Sequence, residues 1–381
     1  LPALWTHAAR VGVAFGAAAP DPSFVRHEGV RQALAPECRI IGSTNGYKVE
    51  TFWPTPAQFD LANPPTIVSG DRIADFARRH RQHLRGHVLV WHVEPYLGRW
   101  VIERFFQSGR AQADMFTDAL VTFLLSRYRG RMWSWDVVNE ILGWEEDSTR
   151  AVTRTDSVFH RAHGGRDTYV DTAFRLARAA DPSTRLVWCE EGLEPDTPNG
   201  YFDRRRGRFL ANLDKFLARG VPIQGIALQA HLESLPDVNQ SKIRRFVGEI
   251  AARGLFVEIT ELDVNDRNFA PDERRADNVG AFTKGFLDAV LDEPAVLNVM
   301  TWDMAWRPHG TMDAMWTNNP PVDTPMSRWT KRRCDDLPHV GLPLDPPPGY
   351  RRNAMWRAMM ESFRSAPDHS VARRRLRGVD L

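Results

Sequence analysis

Cysteine is scarce: the 381 residues hold three, Cys38, Cys189 and Cys334, with no CxxC and no Cys/His cluster. That excludes a disulfide framework and a cysteine-built structural metal centre, and permits one disulfide at most. Charge of one sign is also lacking. Fifty basic residues against 48 acidic ones leave a net charge of +2, too little for a strong polyanion affinity, so no nucleic-acid partner is expected. The densest basic cluster, Arg373-Arg374-Arg375-Leu376-Arg377, reads as a frayed, solvated end. Residues 367–381 are therefore set apart as a basic tail. No run of about eighteen apolar residues occurs, so no membrane span is expected. The start of the chain lacks a basic region, a hydrophobic stretch and a cleavage site in order. The compartment is left between the cytoplasm and, if a leader has been removed, secretion or the periplasm. No internal repeat, linker or low-complexity stretch divides residues 1–366, which read as one domain. A monomer is expected.

Apolar residues make up 43% of the chain, enough for a sizeable core, and thirteen tryptophans are many for this length. Exposed aromatic faces suit sugar rings, although core packing is the commoner use. Short apolar runs alternate with helical patterns. The strands predicted are Val11 to Gly16, Cys38 to Ile41, Val88 to Trp91, Trp133 to Glu140, Leu186 to Cys189, Gly225 to Leu228, Leu255 to Asp263 and Val296 to Trp302. Between them, periodicity predicts helices from Asp21-Pro22 onward, then over 69–83, 111–128, 167–180, 209–218, 242–252, 272–291 and 350–363. Ile73, Phe76 and Ala77 form one inward stripe. Ala173, Phe174 and Ala177 form another, and Ile243, Phe246, Val247 and Ile250 a third. Strands that are apolar throughout have both faces buried, as in a parallel sheet. An α/β fold, a single (β/α)8 barrel, follows. An open doubly wound sheet is the alternative, but no glycine-rich phosphate fingerprint follows the first strand. Long loops follow the fourth strand (141–164) and the eighth (307–349), and loops of that length inside a compact domain are usually functional.

In such a barrel the active site lies at the carboxyl ends of the strands. The polar residues gather there: Asn45 and Lys48, His92, Asn139 and Glu140, Gln229 and His231, Glu261 and Asp263, with Trp302. Two apolar strands each deliver a glutamate, Glu140 and Glu261. Retaining glycosidases need two carboxyl groups about 5–5.5 Å apart, one to attack the anomeric carbon and one to shuttle a proton. Glu140, ending a tryptophan-rich strand, suits the acid, whose pKa an apolar wall and a nearby carboxylate can raise. Glu261 suits the nucleophile, which must stay ionised. It would face His231 across the mouth, with Asp263 placed to orient a histidine. The alternative for either glutamate is a buried structural ion pair. Two such strand ends, with His, Asn and Trp at others, favour chemistry. His92 follows Trp91 at a strand end and is assigned a sugar contact. For His87 a packing or supporting role stands equally. Lys48 on spacing alone reads equally as a surface lysine.

With these residues in hand, the chain resembles glycoside hydrolase family 10, the xylanase family of (β/α)8 barrels, over nearly its whole length. Gly86-His87-Val88-Leu89-Val90-Trp91-His92 is similar to the family's GHTLVWH. Trp135-Asp136-Val137-Val138-Asn139-Glu140 is similar to its acid/base motif WDVVNE. Gly225-Ile226-Ala227-Leu228-Gln229-Ala230-His231 looks like GIGLQGH, and Ile259-Thr260-Glu261-Leu262-Asp263 matches the nucleophile motif ITELD. The stretches Asp156 to Phe159 and Ala179 to Pro182 also follow the pattern. The resemblance implies Glu140 as acid/base and Glu261 as nucleophile. It implies that Asn139 holds the 2-hydroxyl of the sugar at the cleavage point, and that His231 bonds the nucleophile. His92, Lys48, Asn45 and Trp302 would line the glycone side, with Gln229 among the substrate-binding residues and His87, Trp91 and Asp263 in support. It implies no metal and no organic cofactor, and a polysaccharide or oligosaccharide as partner.

Several positions depart from the pattern. Where the family reads ENxMKW, this chain has Thr44-Asn45-Gly46-Tyr47-Lys48-Val49, so the glutamate that would grip the glycone-side sugar is Thr44. The family's HSQ is His92-Val93-Glu94. Its NDYN is Cys189-Glu190-Glu191-Gly192, and its WGxxD is Trp302-Asp303-Met304-Ala305-Trp306. A site built for one hydroxyl pattern strongly rejects another. Three readings follow: retaining cleavage of β-1,4-xylan or a related xylo-oligosaccharide; the same chemistry on another β-glycan, such as a bacterial exopolysaccharide or a β-glucoside; or a barrel that binds glycans without cutting them.

Overall fold

A computed structural model describes all residues except 22, 27, 145–152, 234–237, 266–273, 305–339, 342–343, 345–350 and 379–381. The strands, in chain order, are β1 (Ala14–Ala19), β2 (Ile40–Ser43), β3 (His83–Gly86), β4 (Val90–Trp91), β5 (Met132–Asn139), β6 (Arg185–Glu190), β7 (Gly225–Leu228), β8 (His231–Glu233), β9 (Phe256–Asn265), β10 (Val296–Thr301) and β11 (Val340–Gly341). Eight of them, β1, β2, β3, β5, β6, β7, β9 and β10, pair in that order, all parallel, and β10 returns to β1. The ring is closed, which is the expected (β/α)8 barrel. The short β4 and β8 extend it by pairing with the far ends of β5 and β9. The two-residue β11 pairs antiparallel with β9.

Every residue of β1, β5 and β10 is buried, because helices cover one face of the sheet and the lumen holds the other. The predicted stripes supply the outer layer. Ile73, Phe76 and Ala77 are buried on helix Val68–Arg79, Ala173, Phe174 and Ala177 on Thr168–Ala180, and Ile243, Phe246, Val247 and Ile250 on Gln240–Ala251. A smaller cluster gathers Ala14, Ile40, Trp133, Val187, Cys189, Ala227, Phe256, Leu297 and Met300. These come from seven strands around the ring, so they meet in the lumen. Strand β3 contributes differently: its Arg85 donates to Asp136 on β5 (Nη1 2.7 Å, Nη2 2.5 Å) and to Glu258 on β9 (Nε 2.8 Å). Glu258 also accepts from Trp133 Nε1 at 2.8 Å and from Ser134 Oγ. This is a fully partnered ionic plug, which a buried charge requires.

Some expectations shift. The third barrel strand is not Val88 to Trp91 but His83–Gly86 upstream, because the charge on Arg85 is satisfied inside the lumen and the apolar pattern hides it. Gly86 is needed there: a Cβ would come within 2.1 Å of the Trp135 ring. The chain then leaves the sheet and returns as β4, with Trp91 paired to Asn139. The first strand begins at Ala14 rather than Val11. Asp21 does not serve as the expected helix cap. Its carboxylate instead accepts from Ser43 Oγ and from the backbone N–H groups of Asn45 (3.2 Å) and Gly46 (3.1 Å), holding the loop after β2.

The basic tail is also docked rather than frayed. Residues Ser370–Arg377 form a helix, and the fully buried Arg373 donates to Val11 O (2.7 Å), Leu291 O (2.8 Å) and Glu293 O (3.1 Å). Arg377 donates to Gly12 O at 2.7 Å. These acceptors precede β1 and β10, so the helix caps the barrel at the strand N-terminal ends. The long loop at 307–349 lies outside the described residues apart from Val340–Gly341 and Leu344, which bridges to Arg352. Of the loop 141–164, the described part includes the helix Val158–Ala162.

Candidate active site

The mouth at the strand C-terminal ends is lined by carboxylates and their donors. Glu140 is the first residue past β5 and adopts φ +53°, a left-handed conformation that costs a non-glycine residue roughly 1–3 kcal/mol. Its backbone is held on both sides. Its N–H donates to Cys189 O at 3.1 Å, and its carbonyl accepts from Arg154 Nη1 at 3.2 Å. Arg154 is itself locked by two bonds to Asp156, at 2.7 and 2.9 Å. The Glu140 carboxylate accepts from three neutral donors: Trp91 Nε1 (2.9 Å), Gln229 Nε2 (2.9 Å) and Asn139 Nδ2 (3.2 Å).

Glu261, inside β9, has the opposite company. Its Oε2 lies 2.9 Å from His231 Nε2, and His231 Nδ1 lies 3.0 Å from Asp263 Oδ1. The His231 ring thus bridges the carboxylates of Glu261 and Asp263. His87 Nδ1 is 3.9 Å from Glu261 Oε1 and bonds Asp136 Oδ2 at 2.8 Å. Burial alone would raise the pKa of Glu261. The His231 bond and the charges of His87, His231 and Lys48 outweigh it and bring the group down to about 2.

Gln229 and Cys189 each touch both glutamates. Gln229 donates its amide to Glu140 while its carbonyl accepts from the Glu261 N–H at 2.8 Å. Cys189 accepts from the Glu140 N–H, and its thiol lies 3.8 Å from Glu261 Oε1. The closed ring thus brings together two glutamates that are far apart in the chain.

Lys48 is buried, not a surface lysine. Its ammonium donates to Asn45 Oδ1 at 2.8 Å and sits 4.4 Å from the Trp91 ring centroid and 4.2 Å from that of Tyr96. Burial lowers its pKa to about 8, against the pull of Glu50, Glu261, Glu140 and Asp21. Trp302 meets His87 and His231 edge-on, at 5.6 and 6.0 Å. His92 has a buried Nδ1 with no partner among the described residues, and burial together with Arg154 pushes its pKa well down, so it is a neutral ring. Thr44, in place of the family glutamate, accepts from the Asp21 N–H at 3.1 Å through its hydroxyl. On the other side of Glu140, burial and the charge of Glu140 raise Glu190 to about 7 and Glu191 to about 8.

The expected residues Asn45, Lys48, His87, Trp91, Asn139, Glu140, Gln229, His231, Glu261, Asp263 and Trp302 thus form one contacting group, with His92 at its edge near Arg154. Sequence reasoning passed over Arg85, Glu258 and Arg154. Nothing local marks them: Glu258 sits in a strand read as core, Arg85 falls between the helix predicted over 69–83 and the strand predicted from Val88, and Arg154 lies in a loop. The one set of side chains among the described residues with metal-ligand spacing is His87, Asp136 and Cys189. It does not fit a cation, because both oxygens of Asp136 are already bonded to Arg85 and His87.

A closed parallel barrel with two glutamates at its mouth, one beside two histidines and held low in pKa, the other accepting from three neutral donors, defines a barrel glycosidase. Residues 3–322 match Glycosyl hydrolase family 10, and the chain belongs to that family. It is 30% identical over 299 residues to endo-1,4-beta-xylanase A of Fusarium oxysporum f. sp. lycopersici, covering 74% of this chain and 84% of that enzyme. It is 29% identical over 226 residues to endo-beta-1,4-xylanase Xyn10C of Cellvibrio japonicus, a match over 58% of this chain and only 34% of that longer protein. Among solved structures, xylanase 10B from Thermotoga petrophila in complex with xylobiose superposes with a TM-score of 0.77 at 21% identity, covering 95% of this chain and 97% of that one. At that identity the likeness is one of fold.

Proposed function

We propose that the chain is a retaining hydrolase of β-1,4-linked xylan or xylo-oligosaccharides, with Glu261 as nucleophile and Glu140 as acid/base. The observation that carries this is the difference in company between the two glutamates. Glu261, held ionised among His231, His87 and Lys48, attacks the anomeric carbon. Glu140 gives its proton to the leaving oxygen as the glycosidic bond breaks. A glycosyl ester on Glu261 results. Water then attacks the same carbon, its proton passes to Glu140, and the ester bond to Glu261 breaks. Asn139 lies beside Glu140, where its amide can meet the 2-hydroxyl of the sugar, while Lys48, Asn45, His92 and Trp302 line the glycone side. The xylanase relatives support the substrate. The Thr44 and Glu191 replacements keep another β-glycan as the second reading.

The test is reducing-sugar release from xylan, glucuronoxylan, arabinoxylan, and cellulosic and mixed-linkage glucans, with the Glu261→Ala protein as blank. Release from xylan supports the first reading, and release from a glucan alone supports the second. Azide added to Glu261→Ala with an activated substrate should give the inverted glycosyl azide. Undiminished turnover in both Glu140→Ala and Glu261→Ala would sink the mechanism.

A further inference from the structure

Arg154 lies well past Glu140 in the chain, yet its buried side chain comes back to it. A guanidinium carries its donors in a rigid fork, and this one is used in two directions. Nε and Nη2 donate to the two carboxylate oxygens of Asp156 at 2.7 and 2.9 Å. Nη1 donates to the Glu140 carbonyl at 3.2 Å. The backbone repeats the connection: the Arg154 N–H donates to Ile141 O at 2.8 Å, and Leu142 and Thr153 form an antiparallel bridge. The two ends of the loop after β5 are thus tied to each other immediately beyond Glu140.

Glu140 needs such a tie. Its φ of +53° is disfavoured for a residue with a Cβ and persists only where the surroundings dictate it. Upstream, its N–H is fixed by Cys189 O at 3.1 Å. Downstream, its carbonyl is held by Arg154, and the Leu142 N–H donates to Glu190 Oε2 at 3.1 Å. With the strand fixed, φ sets where the Glu140 side chain points. A backbone that relaxed to negative φ would carry the carboxylate away from Trp91, Gln229 and Asn139, its three donors.

We propose that Arg154 is the positioning residue of the acid/base: by gripping the Glu140 carbonyl it keeps the left-handed turn, and through that turn the proton-carrying carboxyl, at the scissile oxygen. This rests on the assignment of Glu140 and Glu261 made above. Asp156 belongs to the same device, because it fixes the guanidinium and supplies the countercharge that a buried cation needs. The consequence is selective. A leaving group that departs only with a proton depends on where Glu140 stands, and one that departs as a stable anion does not.

The experiment compares kcat/KM for phenyl β-xylobioside, whose phenolate leaves slowly without a proton, with kcat/KM for 2,4-dinitrophenyl β-xylobioside, whose leaving group needs none. Arg154→Met should lower the first about a hundredfold, the cost of misplacing a reacting group by about 1 Å, and the second less than about threefold. On the dinitrophenyl substrate kcat should also fall, because water needs Glu140 as base to attack the ester, and added azide should restore it. Arg154→Lys, which keeps one donor, and Asp156→Asn, which keeps the guanidinium, should show the same pattern with smaller losses and guard against a folding defect. Equal losses on the two substrates across these variants, or no loss on either, overturn the positioning role while leaving the catalytic assignment standing. If Glu140→Ala itself lacks the pattern, or the unaltered protein cleaves neither substrate, the function proposed above fails and the positioning role fails with it.

Discussion

Glu261 shows how much one side chain depends on its surroundings. Its pKa falls from 4.5 to about 2 in the folded chain. The stability this contributes is fully present above pH 4.5 and is lost as pH falls through about 2. His231→Gln removes the ring whose hydrogen bond and charge lower Glu261 and should raise this pKa, moving the acid limb of the kcat/KM profile upward. An unmoved limb would mean that His231 does not hold Glu261 ionised. Lys48 has the opposite sign. Its pKa is lowered from 10.5 to about 8, so burying the charge costs stability below pH 8, and that cost is relieved as pH rises from 8 to 10.5. Lys48→Met should therefore stabilise the fold at pH 7 by on the order of 1–3 kcal/mol, seen as a higher Tm, while raising KM. A fall in both Tm and activity would show that the cation's contacts with Asn45, Trp91 and Tyr96 outweigh its desolvation.

At the scale of elements, β3, β5 and β9 are joined by Arg85, Asp136 and Glu258, in the lumen beneath the reacting glutamates. Asp136 also holds His87 at 2.8 Å, so the plug positions a ring that faces Glu261. Arg85→Met would leave two buried carboxylates without their cation. Breaking such a pair costs roughly 3–5 kcal/mol, and denaturant unfolding should show a loss of that size with an unchanged m-value. A loss below about 1 kcal/mol would mean that the lumen readily admits water or protons to neutralise the acids.

For the molecule as a whole, the helix Ser370–Arg377 closes the end of the barrel opposite the mouth. Removing residues 367–381 would strip partners from the carbonyls of Val11, Gly12, Leu291 and Glu293. The shortened protein should melt at a lower temperature in a thermal scan, yet keep its kcat at room temperature, because those hydrogen bonds sit at the far end of the barrel from Glu140 and Glu261. A loss of turnover without a change in melting temperature would contradict this placement.

The barrel was legible because a parallel sheet buried on both faces needs runs of apolar residues, and the helices over it need stripes at helical spacing. Both are local patterns. The two glutamates were legible because each ends or interrupts such a run, where a charge is costly. The third strand was misplaced because Arg85 breaks the apolar pattern, and only partners on β5 and β9 make its burial tolerable. The basic tail was misread for the same reason: its arginines look solvated until the carbonyls that receive Arg373 and Arg377 are known. Tertiary structure alone decided which glutamate lies against two histidines and which accepts from three neutral donors. Charges and hydrogen bonds act through space over a few ångströms, so their partners need not be neighbours in the chain.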